Sequence, residues 1–219
     1  MIQAFLFDLD GVLTDTSEYH FRAWKHLADD LGIPFTREDN EELRGVSRRE
    51  SLKRLLKGRH VDKVQTEILM QTKNQYYQLW LEKMTPEALL PGAKEILMEL
   101  ERLGLKRMIV SSSRNAATVI ERLKLSAWID GLVDGNAPAR PKPFPDLFLL
   151  AAQNCSVKPE DCLVVEDAAA GIEAAHAAGM PALGLGPQKR VGAADLVLPS
   201  LQGQSAADII ARVQQTTPR

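Results

Sequence analysis

Four short stretches of the chain have apolar centres that do not alternate with polar residues: IQAFLF at 2–7, KRMIVS at 106–111, CLVVE at 162–166 and PALGLG at 181–186. A strand with one wet face alternates apolar and polar residues, so runs that do not alternate belong to strands covered on both faces. Helical patterns separate the later runs, among them AKEILMELERLG, NAATVIERLKL and AAGIEAAHAAG. Strand and helix in alternation wind a parallel sheet with right-handed crossovers and a helical layer on each face. The fold class that follows is α/β, a doubly wound parallel sheet. Ligands of such sheets gather at the carboxyl ends of the strands.

The rhythm breaks once. About a hundred residues separate Phe7 from the second run, far more than a crossover needs, and most of them read as helix. Residues 16–84 are therefore expected to form an inserted helical domain, with 1–15 and 85–219 forming the α/β core. Phe21, Trp24, Leu27, Ala28 and Leu31 mark an apolar stripe on the first inserted helix, and Val61, Val64, Ile68, Leu69 and Leu79 mark one on the last. The segment MTPEALLPGA reads as the return linker, and the two linkers together would form a hinge. A chain of 219 residues is long enough to build both parts around real cores.

Composition narrows the classes of partner. A net charge of −2, with acids and bases mixed along the chain, gives no general attraction for nucleic acid or for an acidic membrane surface. No apolar stretch approaches the roughly 20 residues that span a bilayer. Cys155 and Cys162 lack a CxxC pattern and no signal peptide precedes the first strand, so both read as inert thiols and a reducing cytoplasm is expected.

The strand ends carry the chemistry. The first run ends in Asp8-Leu9-Asp10, and period-2 geometry turns both carboxylates to one side. The second ends in Ser111-Ser112-Ser113-Arg114-Asn115. After a further strand-like piece, WIDGLVD, the loop RPKPFPD holds Lys142 between two prolines, and CLVV ends in Glu166-Asp167. Like charges this close repel and shift one another's pKa. Oxygen-only ligands without His or Cys call for a hard divalent cation, Mg²⁺ rather than zinc. A carboxylate beside such an ion can act as a nucleophile toward phosphorus, while a second carboxylate moves a proton. The Lys142 ammonium and the Ser111 hydroxyl suit the charge on a transferring phosphoryl group. There is no GxxxxGK[ST], so a nucleotide P-loop is not indicated.

DLDGVLTDT, a serine-ended second strand, lysine in KPxPD and an acidic ED pair, in that order over the whole chain, resemble the haloacid dehalogenase superfamily. That resemblance implies a Rossmann-like core with an inserted C1-type helical cap, and Asp10 resembles the phosphoryl-transferring branch. In the cap, TDTSEYHFRAWKHLADDLGIPF, LRGVSRRESL and TKNQYY, with SSSRNA in the core, resemble the β-phosphoglucomutase family. The resemblance implies that Asp8 is the nucleophile and Asp10 the general acid and base. It puts Mg²⁺ on the Asp8 side chain, the Asp10 backbone carbonyl, Glu166 and Asp167. Ser111 and Lys142 would hold the transferring phosphoryl group. Arg48, with Ser113, Arg114 and Asn115, would hold the other phosphate, and His20, Trp24, Gly45, Val46, Ser51 and Lys73 match hinge or sugar-side positions. The implied partners are small sugar phosphates, with no nucleic acid and no membrane, acting on a monomer. A sugar-phosphate phosphatase, a mutase for another sugar, and a silent sugar-phosphate-binding protein are the alternative readings. Pro141 departs from the small residue expected before Lys142, and a cis Lys142-Pro143 bond is implied.

Plainer roles compete at several positions. Trp24 is accounted for by the core stripe alone, and Arg48 lies in a basic run, RGVSRRESLKRLLKGR, that also reads as a solvated helix face. Asp15 reads as an N-cap with Glu18 completing an approximate capping box. Glu166-Asp167 could cap the helix that follows. His26, His60 and His176 read as surface or structural residues without partners.

Overall fold

The computed structural model describes residues 1–43 and 47–216, so Gly45 and Val46 lie outside the described residues. The chain divides into two compact units, residues 1–15 with 85 onward, and residues 16–84.

The first unit holds a six-stranded sheet: β1 (Ala4–Phe7), β2 (Lys106–Val110), β3 (Gly131–Val133), β4 (Cys162–Glu166), β5 (Ala182–Leu185) and β6 (Leu196–Leu198). Their order is β3-β2-β1-β4-β5-β6, and each neighbouring pair is parallel. The four non-alternating runs supply β1, β2, β4 and β5, and WIDGLVD supplies β3. The strand β6 was not anticipated, because three residues at a sheet edge with a half-buried middle position carry too little apolar signal. Every residue of β1 is fully buried, as a central strand with partners on both sides requires. Alternate residues face opposite layers. Ala4 and Leu6 share a cluster with Val110, Val164, Phe148 and Ile172, which come from the neighbouring strands and from α7 (Asp146–Asn154) and α8 (Ala169–Ala177). Elsewhere α5 (Ala93–Arg102) leads into β2 and α6 (Ala116–Arg122) follows it; α5 packs on β2 and on α10 (Ala206–Thr216), and α10 packs on β6. Each Phe or Leu buried this way contributes roughly 1.5–3 kcal/mol.

From β1 the chain builds outward through β2 and β3, then returns to add β4 on the other side of β1. The carboxyl ends of β1 and β4 therefore flank the point where the order reverses, the place where α/β sheets bind ligands. Just beyond β1 the two passages of chain leading to and from the insertion are joined: Thr14 bridges Leu89, its hydroxyl donates to Ala88 O at 2.8 Å, and Leu90 N donates to Leu13 O at 2.9 Å.

The second unit is helical, with α1 (Ser17–Asp30), α2 (Arg37–Glu41), α3 (Arg48–Leu55) and α4 (Lys63–Leu81). Trp24, Leu27, Ala28, Ile33, Phe35, Leu52, Leu55 and Leu69 form its own core. The stripe expected on α1 is present, with Phe21 and Leu31 at its partly buried margin. The stripe expected on α4 is corrected: Val64, Ile68 and Leu79 are 70%, 53% and 56% exposed, and the buried face runs through Leu69, Lys73, Tyr77 and Leu81. At about 100° per residue, the exposed three lie roughly 80–140° around the helix from Leu69. The cap of α1 is also corrected, to Thr16 instead of Asp15. Glu18 does not reach back to complete a capping box, because its carboxylate accepts from Arg22 and Arg37, each at 2.7 Å.

Candidate active site

The site begins where β1 stops. Asp8 N donates to Val165 O at 2.9 Å, which extends the β1–β4 pairing by one residue and seats the Asp8 side chain beside the end of β4. There Lys142 Nζ donates to Asp8 Oδ1 at 2.5 Å, to Glu166 Oε1 at 2.6 Å and to Val110 O at 2.9 Å. All three donor hydrogens of the ammonium are thus used. The Lys142-Pro143 bond is cis, and Pro141 does not keep Lys142 from the acids. Burial alone would lower the lysine pKa. The Asp8 and Glu166 carboxylates outweigh it, and the ammonium is held above the ordinary lysine range.

Glu166 shows the opposite balance. Burial pushes its carboxyl up, to about 7, against the attraction of Lys142 and with help from the charges of Asp8 and Asp167. One ligand atom from each of Asp8, Glu166 and Asp167 lies within 4.8 Å of the others. Three carboxylates face the Lys142 ammonium and, at 3.7 Å from Asp167, the Arg190 guanidinium, so three acids meet two cations. Hard oxygen donors, with no nitrogen or sulfur among them, fit a hard divalent cation. The capping alternative for Glu166-Asp167 is overturned for the helix itself, whose N-cap is Ala168. Glu166 Oε2 nevertheless accepts from Asp167 N at 3.1 Å and from Ala168 N at 3.2 Å, which pins the carboxylate in the turn.

Two glycines make this packing possible, and neither was singled out in the sequence. At Gly11, φ is +86° and an added Cβ would lie 2.3 Å from Asp167 Oδ2. At Gly171, inside α8, it would lie 2.0 Å from Glu166 Cδ and Oε1. A glycine in an otherwise alanine-rich helix, five residues after a site acid, is the one sequence signal that could have pointed to Gly171.

The loop after β2 supplies the hydroxyls. Ser111 N donates to Val133 O at 3.0 Å, and Ser111 Oγ accepts from Ser113 N at 3.1 Å. Ser113 Oγ accepts from Asn115 N at 3.2 Å. Both hydroxyl oxygens are used as acceptors, which leaves their hydrogens to be donated elsewhere. Ser111 and Asn115 are buried, whereas Arg114 is exposed. Asn136 Nδ2 donates to Arg114 O at 3.0 Å and steadies the loop from the segment after β3. The cation-ligand cluster contains Asp8 but not the Asp10 carboxylate.

The remaining residues sit in the helical unit. Lys73, only 2% exposed, places Nζ 2.8 Å from His20 Nδ1 and lies 4.9 Å from the Trp24 ring and 4.7 Å from the Tyr77 ring. The His20 ring stacks on Tyr77 with centroids 4.2 Å apart. An ammonium only donates, so Nδ1 accepts and the imidazole is neutral. Burial, then the charges of Lys73 and Arg48, hold the His20 pKa well below its usual value. Trp24 belongs to the helical core and borders this pair. Ser51 is buried, and Arg48 opens α3 behind the N-cap Ser47. Of the other histidines, His176 has a partner after all, with Nε2 2.9 Å from Asp195 Oδ2, and His26 packs against Tyr76. Burial raises the pKa of both cysteines, that of Cys162 to about 12.

A profile of haloacid dehalogenase-like hydrolases matches residues 2–179. The chain belongs to the haloacid dehalogenase-like hydrolase family. It is 45% identical over 202 residues to the β-phosphoglucomutase of Bacillus subtilis, across 90% of this chain and 89% of that one. A crystal structure of β-phosphoglucomutase from Clostridium difficile superposes with a TM-score of 0.91 and 35% identity, over 98% of each chain. The phosphorylated carbohydrates phosphatase of Thermotoga maritima is 29% identical over 181 residues, 82% of each chain. Within the family the chain therefore groups with the β-phosphoglucomutases, and the doubly wound fold expected from the apolar runs is the fold it has. No helix among the described residues is long and apolar enough to cross a membrane.

Proposed function

We propose that this enzyme interconverts β-D-glucose 1-phosphate and glucose 6-phosphate through a phospho-Asp8 and β-glucose 1,6-bisphosphate. The observation that carries the reading is the Asp8–Lys142–Glu166 knot at the sheet's switch point, in a chain 45% identical to a β-phosphoglucomutase. Asp8 attacks phosphorus through one carboxylate oxygen while Lys142 holds the other. An Asp8 O–P bond forms, the bond from phosphorus to the departing sugar oxygen breaks, and Asp10 gives that oxygen a proton. That step takes the C1 phosphoryl group of the bisphosphate and releases glucose 6-phosphate. In the return step the C6 hydroxyl of an incoming β-glucose 1-phosphate attacks phospho-Asp8, the Asp8 O–P bond breaks, Asp10 takes the hydroxyl proton, and the bisphosphate forms again. The Asp8 side chain, the Asp10 carbonyl, Glu166 and Asp167 would hold Mg²⁺, which would supply neutralising charge for the phosphoryl oxygens. Lys142 stays protonated and Ser111 donates its hydroxyl hydrogen, so both stabilise charge on those oxygens.

The helical unit is proposed as a cap that keeps water from phospho-Asp8. Arg48, with Ser113, Arg114 and Asn115, would grip the phosphate that is not transferring. His20, Trp24, Ser51 and Lys73, with Gly45 and Val46, would shape the sugar side or the hinge. Tying reactive geometry to a second phosphate is what separates a mutase from a hydrolase.

The test is phosphorus NMR of the enzyme with Mg²⁺, β-glucose 1-phosphate and a trace of β-glucose 1,6-bisphosphate. Glucose 6-phosphate is expected to rise far faster than free phosphate. Phosphate rising alone refutes the mutase and supports the phosphatase reading that the Thermotoga relative favours. Asp8→Asn abolishes both signals if Asp8 is the nucleophile.

A further inference from the structure

The carboxyl end of β5 holds a residue that no part of this mechanism uses. After β5 the short helix α9 (Gln188–Val191) turns Arg190 back toward β4. Its Nη2 lies 3.7 Å from Asp167 Oδ2 and 3.5 Å from Leu185 O. Room for the guanidinium comes from Gly186, where φ is +123° and an added Cβ would lie 2.5 Å from Nη2. The Nε–H of Arg190 is buried with no hydrogen-bond partner among the described residues. The guanidinium is thus drawn in beside the acid cluster at the cost of one unsatisfied donor. Asp167 Oδ2 is also the oxygen that meets the Gly11 backbone, since the Cβ excluded there would lie 2.3 Å from it.

We infer that Arg190 is a positioning residue that holds Oδ2 of Asp167 away from the cation, so that Asp167 ligates through one oxygen and the site selects Mg²⁺ over Ca²⁺. The inference rests on the cation site proposed above. Mg²⁺ demands near-octahedral geometry with one oxygen from each carboxylate, whereas Ca²⁺ takes more oxygens and accepts a carboxylate through both. An Asp167 restrained at Oδ2 serves the smaller ion, and one that can swing freely serves the larger.

Two simpler roles make different predictions. If the guanidinium acted only as a positive charge, removing it would tighten Mg²⁺ and Ca²⁺ by the same factor, because both carry +2. If it acted only to keep Asp167 ordered, removing it would weaken both. Restriction to one oxygen is the role that changes their ratio. The experiment is calorimetric titration of metal-stripped wild type, Arg190→Met and Arg190→Lys with MgCl₂ and, separately, CaCl₂. In Arg190→Met the Ca²⁺-to-Mg²⁺ affinity ratio is expected to rise about tenfold, in line with other partners of metal ligands. Arg190→Lys keeps the charge without the planar fork and is expected to move the ratio the same way, which covers a Met variant that does not fold. A ratio within about twofold of wild type, less than 0.5 kcal/mol, overturns the inference and leaves the site standing. Wild type that binds neither ion overturns the site and the inference together.

Discussion

Replacing Gly171 by alanine sets helix propensity against the geometry of the site. In a helix interior alanine is favoured over glycine by about 1 kcal/mol, so Gly171→Ala in an ordinary helix would stabilise the fold. Here the new Cβ would lie 2.0 Å from Cδ and Oε1 of Glu166, where carbon contacts need about 3.5 Å, and the buried carboxylate must move by roughly 1.5 Å. Glu166 is not free to move. Its Oε1 accepts from Lys142 at 2.6 Å, and Oε2 accepts from the backbone of Asp167 and Ala168 at 3.1 and 3.2 Å. Hydrogen bonds to a charged group are worth about 1.5–3 kcal/mol each, so losing two costs about 3–6 kcal/mol and the net loss is about 2–5 kcal/mol. At about 2–4 °C per kcal/mol for a chain of this size, thermal melting in EDTA should fall by roughly 4–20 °C. Calorimetric titration should also show weakened Mg²⁺ binding, since Glu166 is a proposed ligand. A variant that melts at or above wild type and binds Mg²⁺ unchanged would refute the claim that Gly171 is kept for Glu166.

Three further expectations follow from other parts of the molecule. The folded state holds His20 neutral while the unfolded chain protonates it near 6.5, so below that pH the unfolded state binds more protons and stability falls as pH drops, by about 1.4 kcal/mol per unit. Chemical denaturation of wild type and His20→Asn between pH 7.5 and 5.5 checks this, and equal slopes would refute it. Adding Mg²⁺ to EDTA-treated protein at a hundred times its Kd should add about 2.7 kcal/mol of stability, visible in thermal melting and absent in Asp167→Asn. Arg48→Ala should cut mutase flux far more than phosphate release from small phosphoesters, measured side by side, and equal losses would show that Arg48 does not grip a second phosphate.

Much of the fold and of the candidate site could be read along the chain because the signals are local. Apolar runs that do not alternate mark strands covered on both faces. A polar residue directly after such a run must lie at a strand end, so Asp8, Ser111 and Glu166 were legible before any coordinates. Lys142 was found by its motif, but its three contacts, with Asp8, Glu166 and Val110 O, depend on segments 134, 24 and 32 residues away. The errors have the same origin. Val64, Ile68 and Leu79 look like core in composition, and only the angle at which α4 meets its neighbours settles that Leu69, Lys73 and Tyr77 face inward. Glu18 has the spacing of a capping box, yet two arginines, one of them nineteen residues on, take its carboxylate. Gly11, Gly171 and Gly186 were invisible as site residues, because what matters at each is the atom from another part of the chain that fills the space a side chain would occupy. Sequence by itself determined five of the six strands and the acids that end them, and pointed to the insertion, since those follow from the order of apolar and polar residues. The tertiary structure decided which charges meet and which are compensated, because the field at a buried carboxylate is the sum over groups brought near by packing.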